Sequence, residues 1–192
     1  MALIERTVRA SDGRTLLFEE GGDPTGRPVF VLAGTPNSRH LFGPHSALAA
    51  DEDPEAARKK TLADRETMLG ASPEGIREFM QTLLSPVDAA VLTGEFAEHL
   101  ARNTRDGLAP GIQGWWDDGW AMLQPWAFEL ATIRVPLMLW HGRHDRFVPF
   151  SHGEWLARQI PGADVHLSDD DGHLTLTQRR LPAIHQWLLE HF

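Results

Sequence analysis

The sequence predicts an α/β fold in which a mostly parallel sheet carries a helical insert. Residues 29–33 form a continuous apolar run, which is typical of a strand buried on both faces of a parallel sheet. Residues 51–128 carry helix start signals and helical spacing. From residue 133 onward, strand-like and helix-like segments alternate. We therefore expect a core made of residues 1–50 and 129–192 around a helical cap, residues 51–128.

The composition indicates a globular domain and argues against nucleic acid as a partner. The 192-residue chain has 18 basic and 27 acidic residues, so its formal net charge is −9 at pH 7. This charge repels phosphate backbones and anionic membrane surfaces. The chain has no cysteine, which excludes disulfides and thiolate metal sites and fits a cytoplasmic location. Its longest apolar runs are far too short to cross a bilayer, so we expect no membrane partner.

The first fifty residues predict a hairpin followed by one buried strand. Residues 4–10 and 15–20 flank an Asp-Gly pair, which supplies the turn of an antiparallel hairpin. The buried strand ends at Gly34, Thr35 and Pro36. Open α/β sheets bind ligands at the carboxyl ends of their strands, so this loop is a candidate part of a site.

The helical cap has several predicted helix starts. Ser72-Pro73 and Ser85-Pro86 each place a capping residue before a proline at the first helical position, as does Asp53-Pro54. The apolar stripe of the second helix consists of Ile76, Phe79, Met80 and Leu83. The cap ends in a tryptophan-rich stretch. We expect its tryptophans to be packing residues, with substrate lining as the alternative; those concerned are Trp115, Trp116 and Trp120.

The last sixty residues predict strand, helix, strand and helix, at 133–140, 151–160, 163–168 and 177–192. Asp145 lies in the loop after the first of these strands, and His173 lies in the loop after the second. A carboxylate that fixes the tautomer of an imidazole and stabilises the imidazolium makes the histidine a general base. Asp145 and His173 are therefore candidates for an acid–base pair, and the alternative is that each merely lies on its loop.

A metal site is the alternative for the acidic run that precedes His173. Asp169, Asp170 and Asp171 with His166 and His173 have the composition of such a site. Consecutive aspartate side chains diverge in an extended loop, and their spacing matches no known cation loop. We therefore favour a solvated acidic turn, and we expect neither a metal nor a cofactor.

Two motifs make the chain resemble the α/β-hydrolase family, and within it esterase-like members with a helical cap. They are Gly142-x-x-Asp145-x-x-x-Pro149 and Gly172-His173, with the acid before the histidine. The resemblance implies that Asp145 orients His173 and that the earlier loop, Gly34 and Thr35, forms an oxyanion hole. Pro36 has no N–H to contribute there.

The chain departs from the family pattern at the nucleophile. It contains no Gly-x-Ser-x-Gly motif, and the fourteen residues 37–50 are too few for the family's central βα units. The candidate nucleophiles are Ser38, beside the predicted oxyanion loop, Ser46, beside a histidine, and a water molecule. Either strands 29–33 and 133–140 pair directly, or a second copy of the chain completes the sheet. We predict a homo-oligomer, with a homodimer as its simplest form.

Two functional hypotheses follow, and they belong to different classes. The first, implied by the resemblance, is a hydrolase of small ester-type substrates. The second is a catalytically inactive hydrolase-fold remnant that binds a ligand or a partner. A further interpretation is an internally deleted form of a longer hydrolase, with its junction near Ala50 and Asp51.

Overall fold

A computed structural model describes residues 4–10, 13, 15–20, 25, 54–121 and 128–192. The chain divides into two units, Met1–Leu32 with Phe192 and Ala33–His191. Each unit is considered by itself below. The strand predicted at 29–33 and the loop that follows it lie outside the described residues, so its pairing stays a prediction.

The first unit contains an antiparallel hairpin of β1 (Ile4–Arg9) and β2 (Thr15–Glu20). Ile4 lies opposite Glu20, and Arg9 lies opposite Thr15. Gly13 in the turn has a φ of 89°, which glycine adopts without a steric penalty. The predicted hairpin is confirmed.

The second unit contains a parallel pair of strands, β3 (Met138–Gly142) and β4 (Asp164–Ser168), in register from Met138 opposite Asp164. Helix α6 (Phe150–Gln159) connects them, so the predicted α/β class is confirmed. Strand β3 begins at residue 138 and not at 133. Pro136 has no N–H to contribute to a ladder, and the chain just before it forms a short 3-10 turn, Leu130–Thr132.

Five helices precede this strand pair within the described residues. Ser72 and Ser85 cap two of them as predicted, because their hydroxyls accept the N–H groups of Gly75 at 3.1 Å and Asp88 at 3.4 Å. The helices are α1 (Pro54–Leu69), α2 (Pro73–Phe79), α3 (Pro86–Val91), α4 (Gly94–Leu108) and α5 (Gln113–Ala121).

The helices share one hydrophobic core, which also includes Phe147 from the loop after β3. The predicted stripe of α2 points into this core: Ile76 and Met80 are buried, and Phe79 and Leu83 pack against the cluster. Burial of apolar surface is the main stabilising contribution here. Because Phe147 belongs to the same cluster, the helical core extends to the loop that carries Asp145.

The last helix, α7 (His173–His191), begins four residues before the predicted start at 177. The reason is a non-local cap, described below. No helix in the described part of the chain is long and apolar enough to span a membrane.

Candidate active site

Asp145 and His173 meet in the second unit. Nδ1 of His173 lies 2.9 Å from Oδ2 of Asp145. The Asp145 side chain is 4% exposed and that of His173 is 34% exposed. The other carboxylate oxygen, Oδ1, accepts the backbone N–H groups of Phe147 and Val148, each at 2.7 Å. The carboxylate is therefore anchored by its own loop, and one oxygen remains for the imidazole.

The environment of Asp145 favours its ionised form. Burial alone would raise its pKa, but the hydrogen bond and charge attraction of His173 oppose this effect. The N–H groups of Val148 and Phe147 also stabilise the charge. Together these interactions hold the pKa of Asp145 below its ordinary value of 3.8. At neutral pH the carboxylate is thus available to orient the histidine.

Two aromatic side chains surround the pair. The ring of Phe147 stacks on the imidazole of His173, with centroids 4.5 Å apart and planes 19° from parallel. Nε2 of His141 lies 3.8 Å from Oδ2 of Asp145 and 3.0 Å from the carbonyl oxygen of Val148. A carbonyl can only accept, so this nitrogen of His141 carries the proton. Sequence analysis did not identify His141, although its position directly before Gly142 in β3 was a usable signal.

Gly142 allows the two loops to approach closely. A Cβ at this position would collide with the backbone carbonyl of Asp171. Two backbone hydrogen bonds join the loops: the N–H of Arg143 donates to the Ser168 carbonyl at 2.8 Å, and that of His144 donates to the Asp171 carbonyl at 2.9 Å. The glycine of the Gly142-x-x-Asp145 motif is therefore a requirement of packing against the histidine loop.

The acidic run before His173 is not simply a solvated turn, because Asp171 is fully buried. Its carboxylate accepts from Ser168 Oγ at 2.6 Å and from Nε of Arg180 at 2.8 Å. Burial would raise the pKa of Asp171, but Ser168, Arg180 and the nearby charge of Arg179 outweigh it and lower that pKa. Asp171 thus ties the histidine loop to α7. Among the described residues, no group of three histidine or carboxylate side chains is arranged to hold a metal.

A second buried carboxylate, Asp88 on α3, lies beneath the histidine loop. It accepts the backbone N–H groups of His173 at 3.0 Å, Leu174 at 2.8 Å and Thr175 at 3.1 Å. Sequence analysis missed this residue. Its spacing from Ser85 indicated only a local helix start, and nothing in the sequence pointed to a contact 85 residues away.

The structure describes only some of the other predicted site residues. Gly34, Thr35, Ser38 and Ser46 lie outside the described residues. Trp115 is 3% exposed and packs in the helical core, and Trp116 is half-buried beside Arg58. The backbone of Trp120 lies in α5, but its side chain is outside the description. The roles proposed for these residues stay predictions.

A short stretch of the chain is similar to a curated esterase. Over 48 residues, or 25% of the chain, it is 40% identical to a pimeloyl-[acyl-carrier protein] methyl ester esterase of Aromatoleum aromaticum. This match supports a relationship to the α/β-hydrolases. It covers 19% of that esterase. No protein-family model matches the chain.

Two solved hydrolase structures also share similarity with the chain. One is a serine hydrolase from the polyaromatic-hydrocarbon-degrading bacterium Cycloclasticus zankles, with 18% identity over 68% of this chain and a TM-score of 0.45. The other is a variant of the meta-cleavage product hydrolase CumD, with 20% identity over 69% of this chain and a TM-score of 0.40. In both cases the similarity covers 49% of the solved chain.

Proposed function

We propose that this protein hydrolyses small ester-type substrates, with His173 as general base and Asp145 as its orienting partner. The observation that supports this most strongly is the 2.9 Å contact between Nδ1 of His173 and the buried carboxylate of Asp145. The similarity to a protein named as a methyl ester esterase favours an ester as substrate.

The proposed chemistry uses the second nitrogen of His173. Because Asp145 accepts the proton of Nδ1, Nε2 holds the free lone pair of the neutral ring. Nε2 has no hydrogen-bond partner among the described residues, and the ring is partly exposed. As a hydroxyl oxygen attacks the ester carbonyl carbon, Nε2 takes the hydroxyl proton. The same proton then passes to the leaving alkoxide as its carbon–oxygen bond breaks.

The attacking hydroxyl belongs to Ser38, Ser46 or a water molecule. A serine would form an acyl-enzyme that water then cleaves, whereas water would give the acid in one step. The N–H groups of Gly34 and Thr35 are the proposed oxyanion donors, and the tryptophan-rich stretch is the proposed lining for an apolar acyl or aromatic group.

Hydrolysis of a short-chain aryl ester tests the base. Replacement of the histidine, His173→Ala, should lower kcat by about 10³-fold or more, as expected when a general base is lost. His185→Ala is the matched control because it removes an exposed histidine from the same helix. Equal turnover by the wild type and the His173 variant would rule out the proposed role of the pair.

Labelling with a fluorophosphonate tests the nucleophile. A reactive serine should be modified at its Oγ, and peptide mapping should place the label on residue 38 or 46. Turnover without any label would instead indicate a water nucleophile.

The second candidate function is ligand or partner binding by a catalytically inactive remnant. The observation that favours it is the lack of a Gly-x-Ser-x-Gly motif in the chain. Neither turnover nor labelling is expected in that case.

We further propose that the chain forms a homo-oligomer and, because it has no cysteine, that it is cytoplasmic.

A further inference from the structure

Asp88 is a fully buried carboxylate with hydrogen-bond donors at both oxygens. Oδ2 accepts the Ser85 hydroxyl at 2.8 Å and the His173 N–H at 3.0 Å. Oδ1 accepts the N–H groups of Leu174 and Thr175, and the Thr175 hydroxyl lies 3.4 Å away. No ion pair to this carboxylate occurs in the described part of the chain. Its charge is instead compensated by hydrogen bonds and by the positive end of the α7 dipole.

These contacts make Asp88 the N-terminal cap of α7. A helix usually takes its cap from the residue just before it, but here that residue is Gly172, which has no side chain. A Cβ on Gly172 would collide with the Asp88 carboxylate. The Gly172 N–H donates to the Thr175 hydroxyl at 2.6 Å, so this end of the turn is satisfied locally. The next three backbone N–H groups, those of residues 173–175, depend on the carboxylate of Asp88 on α3.

His173 is the first residue of the helix that Asp88 holds. Its backbone N–H is bound by Asp88, and its ring is bound by Asp145 and stacked on Phe147. The segment that carries Asp88 also contacts the loop of Asp145, because Nη1 of Arg146 in that loop donates to the Leu84 carbonyl at 3.2 Å. One short segment of the helical cap, residues 84–88, therefore contacts both loops of the pair.

We propose that Asp88 is a positioning residue that holds His173 against Asp145. The contribution to catalysis rests on the proposed function, whereas the positioning itself does not. Without the Asp88 carboxylate, the first turn of α7 becomes free to move. The imidazole of His173 is then no longer held at a fixed distance from the Asp145 carboxylate. A displacement of about 1 Å costs on the order of 100-fold in rate, so Asp88 should affect kcat and leave KM nearly unchanged.

The test compares Asp88→Asn with Thr104→Val. Asparagine keeps the shape of the side chain but replaces one acceptor oxygen with a donor that faces the His173 N–H. Thr104 on α4 is buried, and its hydroxyl donates to the Leu100 carbonyl. Its variant therefore controls for a general loss of stability among the helices of residues 54–121. Near-UV circular dichroism and thermal unfolding would establish that both variants are folded.

Two readouts are independent of turnover. The hydrogen-bonded Nδ1–H of His173 should give a downfield proton resonance in the wild type, and amide exchange reports on residues 173–175. Asp88→Asn should abolish the resonance and accelerate exchange at these amides by about tenfold or more, as expected for a lost cap. It should also lower kcat by about 10- to 100-fold. Thr104→Val should preserve the resonance, the protection and the rate.

The outcomes separate the two proposals. A folded Asp88→Asn protein with the resonance and the protection intact would overturn the positioning role. If the wild type shows no turnover, the esterase proposal fails, and the resonance and exchange still decide the role of Asp88. Should Asp88→Asn not fold, Ser85→Ala removes one donor that orients the carboxylate, and the same two readouts should change in the same direction. Unchanged readouts in that variant would contradict the proposal.

Discussion

At the level of single residues, the two oxygens of Asp145 have different partners. Oδ1 is held by the N–H groups of Phe147 and Val148, and Oδ2 is bound to the imidazole of His173. The loop fixes the carboxylate, and the carboxylate fixes the ring. A substitution that keeps the loop N–H bonds to Oδ1 but changes the contact of Oδ2 with the imidazole therefore isolates the effect on His173.

Asp145→Asn is such a substitution. Its amide oxygen can still accept the two loop N–H groups, but its NH₂ group then faces Nδ1 of His173. The neutral imidazole must accept at Nδ1 and carry its proton on Nε2, the atom that we propose as the base. We expect kcat for aryl ester hydrolysis to fall by about 10³- to 10⁴-fold with little change in KM.

Asp106→Asn is the control for Asp145→Asn, because it removes an exposed carboxylate on α4, away from the proposed substrate lining. It should leave the rate unchanged. If Asp145→Asn kept kcat within about tenfold of the wild type, the orienting role of Asp145 would be wrong.

The acid stability of the protein should depend on Asp145 and Asp171. Both carboxyls have a pKa in the folded state below the ordinary 3.8. Such a group stabilises the fold above its unfolded pKa, and this stabilisation is lost as the pH falls through the folded pKa. The urea midpoint should therefore decrease from about pH 5 downward.

Asp171→Asn tests this assignment. It should lower the urea midpoint at pH 7 and make the decline in acid shallower, because one of the two linked protonations is removed. The control Asp106→Asn should follow the wild-type curve, because its carboxylate is exposed. An acid decline as steep in Asp171→Asn as in the wild type would show that Asp171 does not contribute.

At the level of elements, the start of α7 depends on two residues that are far apart in sequence. Asp88 supplies the cap, and Gly172 leaves the space for it. Neither residue alone defines the helix start. We therefore expect a methyl group added at position 172 to destabilise the fold by colliding with the Asp88 carboxylate.

Gly172→Ala should destabilise the protein by about 1–3 kcal/mol, as overpacking of a well-packed site does. Gly114→Ala is the matched control: this glycine lies in α5 with open space at its Cβ position, and alanine there should be neutral or stabilise by up to about 1 kcal/mol. Urea unfolding measures both. In an Asp88→Ala background the cost of Gly172→Ala should shrink, and an unchanged cost would exclude the collision as its cause.

At the level of the whole molecule, the described parallel sheet of the second unit is small. Strand β3 pairs with β4, and no other strand pairs with either of them in the described part of the chain. Parallel strands usually occur within larger, covered sheets, and strands 29–33 and 133–140 are predicted to expose edges unless they pair with each other or with a second copy of the chain. This is the physical basis of the proposed homo-oligomer.

Light scattering across a dilution series should detect an assembly with a mass of about twice 21.5 kDa, as expected if exposed edges pair. A lysine on the exposed strand position, Val165→Lys, should weaken the assembly, because charges on edge strands oppose pairing. Val135→Lys, at an exposed position outside the strands, should not. A mass of 21.5 kDa at every concentration would refute the oligomer.

Local chemistry made several features predictable from sequence. The Asp-Gly turn specified the hairpin, and the Ser-Pro pairs at 72 and 85 specified two helix starts. Strand β3 was placed five residues too early because strand-like residues precede Pro136, whose missing N–H delays pairing. The encounter of Asp145 and His173 was predicted from the family-like order of their loops, and the structure gives the physical reason, because both loops follow strands that are neighbours in one sheet.

The α/β class, the helical segment and the two residues that meet at the candidate site could all be predicted from the amino-acid sequence. Tertiary contacts were needed to show where α7 begins, why position 172 is glycine, and that Asp171 is buried. These features depend on partners that are distant in the chain, such as Asp88 and His173. Propensity and periodicity report on neighbours within a few residues, so they carry no information about such contacts.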